Sequence, residues 1–364
     1  GRARFVGPNE VVVEGQDGEQ VISADHFLLG VGTKPARPAN VPFNGKTVLT
    51  SDEVLHLNDL PKTMIVVGGG VIGTEYACIM ATLGVRVTLI EGRDKVLGFL
   101  DQEIADAFQY FMRQSGITLR LGEKVESIQE VASNNGTRHQ LVEAQLESGK
   151  RLHAQTLLYA VGRQGVCRDL GLENVGIEFD DRERLQVNEH YQTNVGHVYA
   201  AGDVIGFPAL ASTSMEQGRR AICHAFECPD VENYNTSLFP YGIYAVPEIS
   251  MVGKTEEQLT AEGIPYESGV AHYREIARGQ LLGDELGMLK MLIHQDTHKI
   301  LGVHVIGTGA TELIHIGQAV MTLDGDAEFF VNNVFNFPTL AECYKVAAYH
   351  GLNKLNDVYS LAAV

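Results

Sequence analysis

The sequence has little positive charge: 28 lysines and arginines stand against 46 aspartates and glutamates in 364 residues, a formal charge of −18. So acidic a chain repels phosphate backbones and anionic membranes, which argues against nucleic acid as a partner. Nucleotide cofactors stay possible, because backbone N–H groups and helix N-termini bind phosphate against an acidic background. The five cysteines are few, odd in number and scattered. They are not a secreted disulfide framework, and they indicate a reducing compartment.

Long apolar runs and targeting signals are also missing. No apolar stretch reaches membrane-spanning length, and no signal peptide is recognisable. We therefore expect a soluble, cytoplasmic protein that binds no membrane. The composition, 45% hydrophobic and 20% charged, is that of a globular protein. The length predicts two or three domains.

A βαβ unit is predicted between residues 64 and 91. Residues 64–67 are a continuous apolar run, typical of a strand buried on both faces of a parallel sheet. The pattern is helical over residues 71–83 and stops at Gly84. Residues 85–91 then indicate a second strand.

The turn of this unit, Gly68-Gly69-Gly70-Val71-Ile72-Gly73, fits Gly-x-Gly-x-x-Gly. In such a turn Gly68 permits the sharp bend, Gly70 lets the backbone approach a pyrophosphate, and Gly73 lets the helix pack close to the strand. The helix N-terminus at Val71 and Ile72 offers free N–H groups and a positive dipole end. The alternative is a glycine-rich turn without a ligand.

Glu91 ends the second strand, 18 positions after Gly73, close to the roughly 20 expected of a ribose ligand. A carboxylate there favours NAD over NADP, because it would meet a 2′-phosphate with like charge. Arg93 keeps NADP open, since a guanidinium pairs with that phosphate. In the alternative interpretations Glu91 merely ends a strand and Arg93 is a solvated loop charge.

Elements are also predicted outside this unit. We expect strands over residues 10–14 and 21–29, and a helix over residues 101–115 with Asp101 as N-cap. Beyond about residue 237 the sequence pattern of the predicted elements changes, which indicates a separate α+β unit. Its predicted elements are strands near residues 249–252, 289–293 and 300–306, followed by a helix that starts near Thr311.

Five motifs, taken together, resemble those of the pyridine nucleotide–disulfide oxidoreductase family. They are Gly30-Val31-Gly32-Thr33-Lys34-Pro35, the fingerprint from Gly68 to Glu75, Ala160-Val161-Gly162-Arg163, Tyr199-Ala200-Ala201-Gly202-Asp203-Val204 and Phe337-Pro338-Thr339-Leu340-Ala341-Glu342. The resemblance covers essentially the whole chain. It implies an α/β fold with Rossmann-like FAD- and NAD(P)-binding domains and a C-terminal α+β dimerisation domain, hence a homodimer or a higher homo-oligomer.

The resemblance also implies domain boundaries. Residues 1–44 and 166–236 would form two pieces of the FAD-binding domain, residues 45–165 the NAD(P)-binding domain and residues 237–364 the dimerisation domain. The first FAD-binding βαβ unit would precede Gly1, so we expect the chain to start inside a domain.

The resemblance also implies site residues, each assigned by its position in a motif. The family likeness places Asp203 at the flavin's ribityl–phosphate region, with the backbones of Gly32, Gly162 and Gly202 near the cofactors. Leu210, Ala211 and Ser212 would begin a helix aimed at the flavin ring, whose N-terminus stabilises negative charge on the reduced flavin. Glu75 resembles a glutamate at the nicotinamide–flavin edge, and Val71 replaces the aromatic lid of some relatives. The alternatives are that Asp203 is a turn aspartate and Glu75 a helix-surface or core-paired carboxylate.

One departure bears on the activity. Disulfide-reducing relatives have a proton-carrying histidine before the Pro-Thr pair, paired with a downstream glutamate. Here Phe337 replaces the histidine while Glu342, the other candidate catalytic residue, is retained. The alternative for Phe337 is that it fills an interface core, which is compatible with the same conclusion.

Phenylalanine cannot carry a proton, so we favour ping-pong hydride transfer from NADPH to NAD+ through FAD, which needs no such group. Members of the family with that activity are also similar at residues 98–103, 202–206, 247–250, 315–319 and 351–355. The alternatives are a disulfide reductase like dihydrolipoamide dehydrogenase and, in another class, a non-catalytic dinucleotide-binding or redox-sensing protein.

Two further sets of residues are not assigned to the site. Cys223 and Cys228 match the spacing of the family's redox disulfide, but relatives place that pair in the first FAD-binding unit. On one helix their side chains would lie about 140° apart, so we expect ordinary helix cysteines. His304 and His315 have no ligand-like neighbours in the sequence, and no metal is expected.

Overall fold

The structure is a computed structural model that describes residues 1–132, 140–228 and 238–362, and only the backbone of 356–362. The strands, in chain order, are β1 (Arg2–Gly7), β2 (Glu10–Gly15), β3 (Gly18–Ser23), β4 (Phe27–Leu29), β5 (Thr33–Pro35), β6 (Val48–Leu49), β7 (Thr63–Val67), β8 (Arg86–Glu91), β9 (Thr118–Leu121), β10 (Val125–Ala132), β11 (Gln140–Leu146), β12 (Arg151–Ala154), β13 (Thr156–Tyr159), β14 (Arg163–Gly165), β15 (Val198–Ala200), β16 (Tyr241–Ile243), β17 (Ile249–Gly253), β18 (Tyr266–His272), β19 (Met288–His294) and β20 (Ile300–Ile306). The helices are α1 (Ser51–Val54), α2 (Val71–Thr82), α3 (Gln102–Gln114), α4 (Ala211–Ala225), α5 (Glu256–Glu262), α6 (Ala277–Leu282), α7 (Ala310–Thr322), α8 (Glu328–Asn332) and α9 (Glu342–Ala362).

The chain folds into two compact units, each built from two separate stretches. The first unit joins Gly1–Ala36 to Gly162–Tyr234, and the second joins Arg37–Val161 to Asn235–Val364. The division into two FAD-binding pieces, an NAD(P)-binding domain and a dimerisation domain stays a prediction.

The first unit consists of small sheets around one apolar core. Strands β1, β2 and β3 form an antiparallel meander, β4 pairs in parallel with β15, and β5 pairs antiparallel with β14. The strand expected over residues 21–29 is wrong, because it is two strands with different partners: β3 ends at Ser23, and β4 begins at Phe27, whose N–H donates to the carbonyl of His197. The core contains Phe5, Cys167, Leu172, Leu185, Val198 and Val204.

The second unit contains the predicted βαβ unit. Its parallel sheet has the strand order β6-β13-β7-β8-β9, so β7 lies between two other strands and the side chains of residues 64–67 are all buried. The helix expected over residues 71–83 and the strand expected over residues 85–91 are confirmed as α2 and β8. Gly84, with φ of +88°, takes the left-handed conformation that ends the helix. The antiparallel sheet β10-β11-β12 was not predicted.

The same unit contains an antiparallel sheet with the order β16-β17-β20-β19-β18. The three predicted strands beyond residue 237 are confirmed as β17, β19 and β20, and the helix expected near Thr311 is confirmed as α7. Side chains of α7 and α9 pack with the sheet in one apolar cluster. Among the described helices, none combines the length and apolarity that crossing a membrane requires.

A buried ion-pair cluster connects α3 to this sheet. Lys290 of β19 is 2% exposed, and its Nζ lies 2.8 Å from both Asp101 Oδ1 and Glu256 Oε1 and 3.0 Å from Glu103 Oε2. Asp101 is the N-cap of α3, as predicted, and accepts a 3.2 Å hydrogen bond from the N–H of Glu103. Burial alone would lower the pKa of Lys290, but its hydrogen bonds to Asp101 and Glu256 outweigh burial and raise that pKa.

Candidate dinucleotide-binding site

The turn between β7 and α2 has the backbone geometry that its glycines predict. Gly68 has a φ of +108°, and a Cβ on it would lie 2.6 Å from the carbonyl oxygen of Ala160. A Cβ on Gly73 would lie 1.9 Å from the carbonyl oxygen of Gly68, so the helix packs against the turn as only glycine allows. A Cβ on Gly70, in contrast, would have no described atom within 4 Å. The surface at Gly70 is therefore open to a ligand.

The N-terminus of α2 begins at this open surface. Its N-cap is Gly70 in an extended conformation, with no side-chain cap among the described residues and no acidic residue in the first turn. The first N–H groups of a helix have no partner inside the helix, so those of Val71 and Ile72 remain available to an anion.

Glu91 contacts the turn directly. Its Oε2 accepts a 2.6 Å hydrogen bond from the N–H of Gly69, and the guanidinium of Arg93 lies 3.0 Å from each carboxylate oxygen. The Glu91 side chain is 10% exposed and that of Arg93 56% exposed. Burial would raise the pKa of Glu91, but the hydrogen bonds from Arg93 and Gly69 together lower it, so the carboxylate is charged at neutral pH. Arg93 is therefore an ion-pair partner of Glu91 that still reaches solvent.

A cavity of about 440 Å³ lies beside this pair, a size typical of ligand sites. Its lining includes Gly68, Glu91, Arg93 and Tyr159, and also Lys124, which the sequence interpretation missed. Lys124 forms no ion pair with a described residue. Glu123 and Glu126 also line the cavity, so three carboxylates and two cations surround it.

Backbone pairing after β8 and β9 positions Lys124. The N–H of Gly122 donates to the carbonyl of Arg93 at 2.8 Å, and that of Glu123 donates to the carbonyl of Glu91 at 3.1 Å. The aliphatic chain of Lys124 lies against Gly92, where a Cβ would approach its Cγ to 3.1 Å. The parallel pairing of β8 with β9 creates this contact, and no local motif marks it in the sequence.

Glu75 lies further along α2 and is half-buried. Its Oε1 accepts a 2.8 Å hydrogen bond from the backbone N–H of Tyr244. Burial raises the pKa of Glu75 and outweighs that hydrogen bond. The structure therefore pairs this carboxylate with the backbone that follows β16.

In the first unit, side chains from three of the glycine motifs meet at Asp203. Its Oδ2 accepts a 3.0 Å hydrogen bond from Thr33 Oγ1, which in turn accepts a 2.6 Å bond from Arg163 Nε. The same Arg163 nitrogen lies 4.0 Å from Asp203 Oδ2. Thr33 and Arg163 were not predicted as site residues. Gly32 and Gly162 adjoin them in the chain, so both glycines lie at the same site as Asp203.

Helix α4 follows this site in the chain. Gly202, with φ of +80°, donates its N–H to Gln217 Oε1 at 2.8 Å, and a Cβ there would lie 2.6 Å from Ser214 Oγ. The helix starts after Leu210, as predicted, without a side-chain cap among the described residues, and Ala211 and Ser212 are exposed. Its first N–H groups are open to an anionic ligand.

The Pro-Thr motif differs from a proton relay. The side chain of Phe337 is 73% exposed in this single chain. Glu342 begins α9, and its Oε2 is buried with no hydrogen-bond partner among the described residues. The two residues therefore offer no acid–base pair.

The cysteine prediction needs correction. Helix α4 ends at Ala225, so Cys228 is not on the helix and the 140° separation from Cys223 is wrong. His304 is buried and bonds the carbonyl of Lys254, while His315 bonds the side chain of Gln318. In the described part of the chain, no group of three or more histidines, cysteines and carboxylates is placed to hold a metal ion.

The model of a family described as pyridine nucleotide-disulphide oxidoreductase matches residues 1–218, and that of its dimerisation domain matches residues 239–348. The chain belongs to this family. Pyridine nucleotide-disulphide oxidoreductases are α/β flavoproteins, so the expected fold class and the oxidoreductase function are confirmed, and binding of FAD and a nicotinamide nucleotide is implied.

Relatives within the family are similar over nearly the whole chain. A soluble pyridine nucleotide transhydrogenase of Mycobacterium tuberculosis is 48% identical over 357 residues, 98% of this chain and 74% of that protein. One of Serratia proteamaculans is 47% identical over 359 residues, which is 98% of this chain and 76% of that protein.

Solved structures show the same fold. The HOCl-induced flavoprotein disulfide reductase RclA of Escherichia coli is 27% identical with a TM-score of 0.84, covering 99% of this chain and 78% of that one. LpdA of Mycobacterium tuberculosis is 25% identical with a TM-score of 0.86, covering 95% of this chain and 75% of that one.

Proposed function

We propose that this protein is a soluble pyridine nucleotide transhydrogenase that transfers hydride from NADPH to NAD+ through FAD. One observation carries the proposal: the residues that suit nucleotide binding are in place, while the position of the family's proton carrier holds the exposed side chain of Phe337. The similarity to proteins named transhydrogenases over 98% of the chain supports it further.

The nicotinamide nucleotide would bind along the turn at Gly68–Gly73. The pyrophosphate would lie over Gly70, where the N-terminus of α2 supplies N–H donors. Glu91 would accept hydrogen bonds from the adenosine ribose of NAD, and Arg93 with Lys124 would pair with the 2′-phosphate of NADP. This site would therefore accept both nucleotides, which bind in turn.

The residues around Asp203 fit a flavin nucleotide. Thr33 orients the carboxylate of Asp203, which can accept hydrogen bonds from a polyol. The uncapped N-terminus of α4 presents N–H groups that suit a phosphate or an electron-accepting ring. FAD, when bound, supplies the two-electron carrier between the nicotinamide nucleotides. Glu75 would orient the nicotinamide end of the nucleotide, while Glu342 keeps only a structural role. These roles are proposals.

A dihydrolipoamide dehydrogenase-like disulfide reductase is the second candidate, favoured by the fold that the chain shares with RclA. Such an enzyme needs a side chain that takes up and returns thiol protons. Phe337 cannot do so, and Glu342 Oε2 has no described partner. The transhydrogenase proposal accounts for both observations.

The deciding experiment supplies FAD-loaded protein with NADPH and a thionicotinamide analogue of NAD+. We expect the analogue to be reduced only when FAD is present, with parallel double-reciprocal lines because the nucleotides bind in turn. Lipoamide or glutathione disulfide, supplied with NADH as the matched control, should give no turnover. Disulfide reduction without FAD-dependent hydride exchange would reject the proposal in favour of the second candidate, and failure of both reactions would favour a non-catalytic role.

We also propose a cytoplasmic homodimer. The match to the dimerisation domain supports the dimer, as do the side chains of Val334 and Phe337, which are 95% and 73% exposed in the single chain. Two large apolar side chains so close in sequence suit a protein interface better than water. Size-exclusion chromatography with light scattering should give twice the chain mass, and Phe337→Asp should shift the protein towards monomer.

A further inference from the structure

The C-terminus of α4 ends in a Schellman motif. Phe226 is the C-cap, and Glu227 follows in the left-handed conformation with a φ of +51°. The N–H of Cys228 donates to the carbonyl of Cys223 at 2.8 Å, and that of Glu227 donates to the carbonyl of His224 at 3.3 Å. These two bonds are the pair that defines the motif. The chain therefore turns back on the last turn of the helix at Cys228.

In a Schellman motif the side chains of the two outer residues commonly meet. Here both residues are cysteines, and the backbone bond from Cys228 to Cys223 holds them together at the end of the helix. With standard bond lengths, the 2.8 Å N···O distance keeps the two Cα atoms no more than about 7 Å apart. A disulfide closes over Cα separations up to that limit, so the pair needs no large backbone movement to form one.

The surroundings separate this pair from the other cysteines. Cys228 is exposed and Cys223 is half-buried. Cys78, Cys167 and Cys343 are buried, and burial raises the pKa of each thiol, to about 11 for the first two and about 12 for Cys343. Those three thiols are therefore shielded from an oxidant. The pKa of Cys228 is raised as well, so exposure, and not a lower pKa, distinguishes the pair.

The pair is also distant from the N-terminus of its own helix, which is the proposed flavin-facing end. Helix α4 has 15 residues, which corresponds to roughly 22 Å at 1.5 Å per residue. That length places the pair far from a ligand at the other end of the helix, so we assign it no part in hydride transfer.

We propose that Cys223 and Cys228 form a reversible intramolecular disulfide when a peroxide reaches Cys228. The exposed Cys228 sulfur attacks a peroxide oxygen, the O–O bond breaks, and a sulfenic acid and one water form. The Cys223 sulfur then attacks the sulfenic sulfur, the S–S bond forms, and a second water leaves with the remaining thiol proton. The two sulfurs lose two electrons in total, and the peroxide gains them. A dithiol reductant reverses the modification.

The test uses the purified protein, reduced and then treated with hydrogen peroxide. After denaturation in an alkylating reagent, peptide mass spectrometry should find residues 223 and 228 unalkylated and joined, lighter by two hydrogens, with the monomer unchanged on a non-reducing gel. Dithiothreitol should restore both alkylation sites, while Cys78, Cys167 and Cys343 stay alkylated throughout.

Two variants make the result specific. Cys228→Ser should abolish the linkage while keeping the helix end, because the bond to the Cys223 carbonyl is from the backbone. Cys167→Ser, the matched control in the same unit, should leave the linkage unchanged. Free thiols at both positions after excess peroxide, oxidation of Cys228 to a sulfinic acid, or a linkage between two chains would overturn the proposal.

Discussion

Lys290 Nζ donates a 2.8 Å hydrogen bond to Asp101 Oδ1, and their side chains are 2% and 0% exposed. Lys290→Met would leave the Asp101 carboxylate buried without its main cation, which costs about 3–5 kcal/mol in stability. Denaturant unfolding of wild type and variant measures this loss. The control is Lys299→Met, which removes the exposed ion pair with Asp324 and should cost at most about 1 kcal/mol. Equal losses in the two variants would contradict the buried-cluster interpretation.

Glu75 makes stability depend on pH. Burial raises the pKa of Glu75 in the folded state. The contribution of Glu75 to folding stability is therefore complete below the unfolded-state pKa, near 4.3, and is lost as the pH rises through the folded-state pKa. Glu75→Gln is neutral at every pH, so it should raise the unfolding temperature at pH 7 and make little difference near pH 4.

Glu53 serves as a control, because its pKa is shifted in the opposite direction to that of Glu75. Burial opposes ionisation, but hydrogen bonds from Thr50 and Arg37 together lower the pKa of Glu53, so its contribution is present at pH 7 and lost in acid. Glu53→Gln should therefore lower the unfolding temperature at pH 7. A shift of the same sign in both variants would show that the pKa directions are wrong.

Arg93 and Lys124 should distinguish the two nucleotides. Removing a cation that pairs with a phosphate loses about 1.5–3 kcal/mol, so Arg93→Ala and Lys124→Ala should each raise the KM for NADPH about tenfold or more. The KM for NADH should change much less. Lys46→Ala, an exposed lysine outside the cavity, serves as control. A uniform rise for both nucleotides would remove the proposed 2′-phosphate contact.

Two substitutions in the glycine turn should separate an effect on folding from an effect on nucleotide binding. Gly73→Ala places a Cβ 1.9 Å from the carbonyl oxygen of Gly68, so we expect this variant to unfold earlier and to bind no nucleotide. Gly70→Ala meets no described atom and should keep the wild-type unfolding temperature, yet bind NAD more weakly because the methyl group occupies the pyrophosphate surface. Calorimetric titration with NAD, alongside thermal unfolding, checks both; tight binding by Gly70→Ala would refute the placement of the pyrophosphate.

The sequence predicts best where local chemistry decides the structure. The apolar run at residues 64–67 and the helix stop at Gly84 determine β7 and α2 without help from distant residues. Strand β3 was extended wrongly to residue 29, because only pairing with β15 shows that β4 is a separate strand. In the sheet β10-β11-β12, strands β10 and β11 lack a strict alternation of polar and apolar residues, which leaves a weak signal.

The site shows the same division between local and distant contacts. Glu91 follows from its spacing to the glycines, but Lys124 reaches the cavity only through the pairing of β8 with β9. Thr33 and Asp203 are 170 positions apart, and a single sequence gives no reason to join their side chains. Helical spacing wrongly placed Cys228 on α4, because no glycine marks the end of the helix in the sequence. The left-handed residue there is Glu227.

The hydrogen bond from Gly69 to Glu91 fixes the carboxylate that would meet the ribose. Arg93 also bonds the carboxylate, so Glu91 keeps one rotamer before any nucleotide binds. The entropic cost of ordering that side chain, roughly 0.5–1.5 kcal/mol, therefore arises on folding and not on nucleotide binding. Preorganisation of this kind would lower the entropic cost of binding the adenosine end of the nucleotide.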